Sequence, residues 1–114
     1  MTGADEDLQT KLKTLQDTYR DKLDARLDEV DTALNSLRAS DGSTVEDLDT
    51  LLALAHKLTG SAGTFGLPAV SDAAEKLETL CASLVDEGKD ASAEMERITR
   101  LVNDLRKAAE KETG

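Results

Sequence analysis

Aliphatic residues return every third or fourth position through most of this chain, and that period decides what it can fold into. The first block carries Leu8, Leu12, Leu15, Tyr19, Leu23, Leu27, Val30, Leu34 and Leu37. Such spacing places one apolar stripe along an α-helix, with Lys, Arg, Asp and Glu on the opposite face. No stretch alternates as a half-buried strand does, and the only aromatic residues are Tyr19 and Phe65. The block predicts one long helix, or two nearly collinear ones, from about Asp5 to Arg38.

Three interruptions divide the remainder. "ASDGSTVED" supplies a break at Gly42, and Ser43 with Glu46 has the spacing of a capping box for a second helix. That helix runs through Leu48, Leu51, Leu52, Ala55, Leu58, Ala62 and Phe65 and stops at "FGLP". There Gly66 suits a left-handed C-terminal cap and Pro68 the first turn of a third helix. The third helix carries Val70, Ala73, Leu77, Leu80, Cys81 and Leu84 and ends at Gly88. A fourth opens near "KDASAE" and aligns Met95, Ile98, Leu101, Val102 and Leu105. Amphipathic helices joined by short connections pack as an antiparallel four-helix bundle. The expected architecture is therefore all-α, a single domain over residues 1–114, with a core spanning about 8–109 and the N-terminal helix long or split in two.

Charge narrows the partners. The 114 residues include 24 acidic and 14 basic side chains, a net charge of −10, with the charges interspersed along the chain. Nucleic acid and anionic membranes are recognised through basic surfaces, so neither is expected as a partner; a protein with a basic patch is. No run of about 18 apolar residues could span a bilayer, and the polar start "MTGADEDL" lacks the regions of a signal peptide. Cytoplasmic placement follows as the expectation. With one cysteine and one histidine the chain has no basis for a zinc site, and Cys81 is expected to be a buried helix residue. No helix face is left over once the stripes pack together, so a monomer is expected.

The histidine is the residue that the bundle does not explain. At about 100° per residue, the apolar positions of the second helix fill an arc centred about 130° from His56, which places the ring outside the core. The same projection puts Asp49, Ala53, Gly60 and Gly63 on the histidine's stripe and Thr59 at its core-side edge. Each interior glycine costs a helix about 0.5–1 kcal/mol against alanine. Small residues beside an exposed imidazole clear steric room for a macromolecule to bring a reactive group to the ring.

Autonomous catalysis has little to build on. No phosphate-binding loop of the G-x-x-x-x-G-K-[ST] type exists, Ser61 projects to a different face, and His56 has no nucleophile to activate. No kinase or hydrolase activity is expected of the chain alone. A lone exposed imidazole can, however, accept a phosphoryl group, since its neutral form is well populated near pH 7 and one ring nitrogen attacks while the other keeps its proton.

At these residues the sequence resembles the histidine-containing phosphotransfer (Hpt) family of bacterial two-component phosphorelays. "AHKLTGSAGTFGL" is similar to the family signature H-x-[LI]-K-G-x-x-x-x-x-G and to the phosphorylated domain of chemotaxis histidine kinases. The resemblance implies that His56 is the phosphoacceptor and Gly60 the glycine that opens the surface beside it. It also matches Gly63 and Gly66 to small positions, and Leu58 and Phe65 to buried anchors. The partners it implies are receiver domains of response regulators or hybrid histidine kinases, which hold the Mg²⁺; the chain itself would bind no cofactor. Asp49, Ala53, His56, Gly60 and Gly63 would form the docking surface, with Lys57 and Thr59 beside the ring.

Two positions depart from the family pattern. Thr59 stands where a lysine is common, leaving Lys57 as the nearby cation. Some members place a glutamine on the following helix near the ring; Glu78 falls there by count and is expected to be a surface residue. The leading expectation is a free-standing phosphocarrier. The alternatives are a helical scaffolding module that binds receivers without being labelled, and the phosphoacceptor domain of a larger histidine kinase.

Overall fold

The computed structural model describes the backbone of residues 3–113 and the side chains of residues 7–113. Four α-helices account for nearly all of it: α1 (Gly3–Ala39), α2 (Val45–Thr64), α3 (Pro68–Asp86) and α4 (Met95–Thr113), the last entered through a 3₁₀ turn, Ser92–Glu94. No strand occurs among the described residues. Neither glycine nor proline interrupts the sequence between Ala4 and Asp41, and α1 is accordingly one continuous helix rather than two.

The helices pack in cyclic order, α1 on α2, α2 on α3, α3 on α4 and α4 back on α1, as in a four-helix bundle. One connected core holds Leu23, Val30, Leu37, Leu48, Leu51, Leu58, Val70, Leu77, Ile98, Val102 and Leu105. Arg106 ties α4 to α1 by donating to the Leu27 carbonyl at 3.3 Å and to the Asp31 carboxylate.

The core starts later than the apolar period suggests. Leu8, Leu12 and Leu15 are 58%, 51% and 56% exposed, and Tyr19 is the first buried residue among the described side chains of α1. The reason is length. The 37 residues of α1 stand beside helices of 20, 19 and 19 residues. The excess has nothing to pack against, and the molecule measures 60 × 22 × 21 Å.

The expected capping box of α2 is not formed. Thr44 occupies the N-cap with no side-chain cap bond, while the Ser43 hydroxyl turns back to donate to the Ser40 carbonyl at 2.8 Å. Closing the end of α1 takes the serine that would have opened α2. Gly42 in this turn is required for two reasons: its φ is +83°, and a Cβ would lie 2.6 Å from the Ala91 carbonyl carbon. Here the α1–α2 and α3–α4 connections cross, and the Ala91 amide donates to the Gly42 carbonyl at 2.8 Å.

The stop and restart between α2 and α3 form as expected. Gly66, at φ +75°, closes a Schellman motif in which the Leu67 amide donates to Ala62 at 2.8 Å and the Gly66 amide to Gly63 at 3.3 Å. Pro68 then opens α3. The α3 N-terminus is capped from a distance, the Val70 amide donating to a Glu112 carboxylate oxygen of α4 at 2.6 Å.

Within α2 the buried set is Leu48, Leu51, Leu54, Ala55, Leu58 and Ala62. Leu54 joins the expected positions, and Leu52 is only partly buried. Phe65, expected as a buried anchor, is 43% exposed because it lies just past the last turn, at the C-cap. Its ring stacks on Tyr19 with centroids 4.2 Å apart and planes within 9°. The Tyr19 hydroxyl in turn meets Ser61 Oγ at 3.1 Å, so α1 and α2 are pinned at this end by an aromatic pair and a hydrogen bond.

Candidate functional site

His56 lies midway along α2, on the face turned away from the core, with 76% of its side chain exposed. Asp49, Ala53, Gly60 and Gly63 are exposed on the same helix, as the projection requires. The apolar residues of α2 are held by the core on one side, and this alone turns the stripe outward.

The two glycines have different surroundings. A Cβ at Gly60 would meet nothing within 4 Å, and one at Gly63 would make ordinary contact with Ser71 Oγ of α3 at 3.5 Å. Close packing inside the molecule therefore does not account for Gly60, which leaves a flat surface one turn beyond the ring.

Glu78 is the residue whose role the sequence understates. Position along α3 predicts a surface side chain, but its carboxylate reaches from α3 to α2, with Oε2 2.5 Å from His56 Nδ1 and only 24% of the side chain exposed. An ionised carboxylate only accepts hydrogen bonds, so it selects the tautomer that carries its proton on Nδ1. The unprotonated Nε2, across the ring, is left as the nucleophilic nitrogen.

Thr59 and Lys57 do not converge on the ring. The Thr59 hydroxyl donates to the Ala55 carbonyl at 2.9 Å, and the Thr59 carbonyl accepts from Ser71 Oγ at 2.8 Å. This second bond fastens α2 to α3 close to the histidine. Lys57 lies on the other flank of α2, lining a groove of about 410 Å³ toward α1 with Leu15, Tyr19, Lys22, Arg26 and Phe65. Consecutive residues of a helix diverge by about 100°, enough to send His56 to α3 and Lys57 to α1.

Cys81, one turn from Glu78 on α3, is buried, and desolvation pushes its thiol up to about 12. Such a thiol is neutral and inert at physiological pH. Among the described residues no group of three or more His, Cys, Asp or Glu side chains is arranged to hold a metal ion, and no helix is long and apolar enough to cross a membrane.

The structure is thus a four-helix bundle that presents its one histidine beside a cleared surface, with a carboxylate on the inner ring nitrogen. The family model for the Hpt domain matches residues 14–108, and the chain belongs to this family. Hpt domains are histidine phosphotransfer modules of two-component signalling, phosphocarriers rather than kinases. No curated protein and no solved structure gives a significant match to the chain.

Proposed function

We propose that this chain is a cytoplasmic phosphocarrier that accepts a phosphoryl group on Nε2 of His56 from the aspartyl phosphate of one receiver domain and passes it to another. The observation that carries the reading is the 2.5 Å pairing of His56 Nδ1 with Glu78. In the transfer, Nε2 forms a bond to phosphorus as the acyl oxygen–phosphorus bond breaks, and the electron pair leaves with the receiver's carboxylate. No proton has to leave the attacking nitrogen. The product is an Nε2-phosphorylated imidazolium that keeps its Nδ1 proton, and the Glu78 carboxylate offsets the charge the ring acquires.

The exposed stripe of Asp49, Ala53, His56, Gly60 and Gly63 supports the same reading as a docking surface, since the open space at Gly60 lets a partner approach the ring closely. The receiver supplies the Mg²⁺ and the leaving group, and stabilises the equatorial oxygens in flight. Thr59, bonded to its own helix, and Lys57, on the far flank, contribute little to that charge.

The test is incubation with a panel of phosphorylated receiver domains and Mg²⁺, following acid-labile, base-stable label on this chain. Wild type should be labelled by at least one receiver and His56→Gln by none, with both equally folded. A receiver that binds stably without labelling His56 would overturn the reading and make the chain an adaptor.

A further inference from the structure

The groove between α1 and α2 has no part in the phosphotransfer reading. Its floor is apolar, formed by Leu15, Leu23, Leu58 and the stacked rings of Tyr19 and Phe65. Its rim holds three cations, Lys22, Arg26 and Lys57, and none of its lining residues carries a carboxylate. In a chain of net charge −10 this is a local reversal of sign. Arg26 is paired at 3.1 Å with Glu29, which is exposed; among the described residues Lys22 and Lys57 meet no carboxylate within 4.0 Å.

The α1 wall of the groove does not stop where the bundle stops. At 100° per residue, Leu8, Lys11, Leu15, Thr18, Lys22 and Arg26 fall within an arc of about 80°, so the wall continues as one straight strip about 27 Å long. Leu8, Lys11 and Leu15 stand on the exposed overhang. Asp17, Asp21 and Asp24 fall outside this arc. The strip is thus apolar toward its N-terminal end and cationic where α2 joins it.

We propose that this strip receives an amphipathic helix of another protein, with its apolar turns on Leu8, Leu15 and Phe65 and its acidic turns among Lys22, Arg26 and Lys57. Shape and charge select this occupant. A straight strip of about 27 Å is matched by a helix of about 18 residues, laid against α1 as one helix lies in the groove of another. Carboxylates on that helix would complement the cations of the rim, while a basic helix would be repelled there. Lys57 and His56 leave α2 about 100° apart, and His56 faces α3, so a helix held in the groove leaves the ring uncovered. Docking and phosphorylation of the same chain are therefore compatible.

Two fluorescent helical peptides of about 18 residues test the proposal against the full chain. Both carry the same leucine stripe; one has glutamates flanking it in one half, the other lysines at those positions. By fluorescence anisotropy at low salt the Glu peptide should bind and the Lys peptide should not, and about 0.5 M salt should weaken the Glu peptide tenfold or more. Lys22→Glu with Lys57→Glu should weaken it by at least as much. Leu15→Glu should weaken it about tenfold, with circular dichroism showing every variant as folded as wild type. Amide NMR shifts on binding should gather at Leu15, Lys22 and Phe65 and spare Gly60, and labelling of His56 by a phosphorylated receiver should proceed with the peptide bound. No binding, equal binding of the two peptides, or shifts centred on Gly60 would overturn the proposal whether or not His56 is labelled. Binding indifferent to Leu15→Glu would reduce the contact to charge alone and overturn the docked helix.

Discussion

Glu78 on α3 and His56 on α2 form a pair 2.5 Å apart in which the carboxylate is mostly covered and the imidazole mostly open. The ring is thus held from the inside and offered to the outside. Because the acceptor fixes Nδ1–H, the pair sets which nitrogen carries the proton as well as where the ring points.

Glu78→Ala should lower the phosphoryl transfer rate about tenfold, the lower end of what a charge-assisted hydrogen bond supplies, given how exposed the imidazole is. Nitrogen NMR of the ring reads the cause directly. The Nδ1–H tautomer should dominate in wild type, and a mixture should appear in the variant. A variant with unchanged rate and tautomer would remove Glu78 from the chemistry.

Gly60→Ala should raise stability by about 0.5–1 kcal/mol, because a Cβ there meets nothing and alanine is the better helix former. Gly60→Leu should be no less stable than wild type yet slow in transfer, since the added bulk stands where a receiver must approach. Thermal melts beside transfer rates separate the two effects, and equal rates for all three proteins would refute the steric role.

Gly42→Ala behaves in the opposite sense. The substitution puts a Cβ 2.6 Å from backbone atoms of Ala91 at a φ of +83°, and should destabilise the fold by about 1–3 kcal/mol. Chemical denaturation measures the loss, and a neutral result would mean that the two crossing loops separate freely.

Cys81 should resist alkylation in the native protein. With its thiol pushed up to about 12 and its side chain covered, it stays protonated and out of reach at pH 8, and should react only as fast as the bundle opens. An unfolded chain exposes a thiol of ordinary acidity, so adding denaturant should release the reaction. Native alkylation at the rate of a free thiol would place Cys81 at the surface.

Much of this molecule was legible from periodicity and punctuation. The four helices, the break at Gly42, the turn at Gly66 and Pro68, and the outward direction of His56 follow from local rules that act within a few residues. What the sequence hid depends on how one helix is set against another. Glu78 could be placed near the ring by counting, but only the axial setting of α3 on α2 brings its carboxylate to Nδ1. The Glu112 cap on α3 joins residues far apart in sequence, and no local signal announces it. Leu8, Leu12 and Leu15 continue the period without a break, so their exposure follows from the lengths of the other helices rather than from anything in their own neighbourhood.

His56 and Lys57, neighbours in the chain, open onto opposite flanks of α2, the one facing α3 and the other facing α1. A single helix therefore acts as a partition wall. Substitutions on the α1 flank can reshape the groove beside Lys57 without touching the His56–Glu78 pair, and changes to that pair leave the groove as it is.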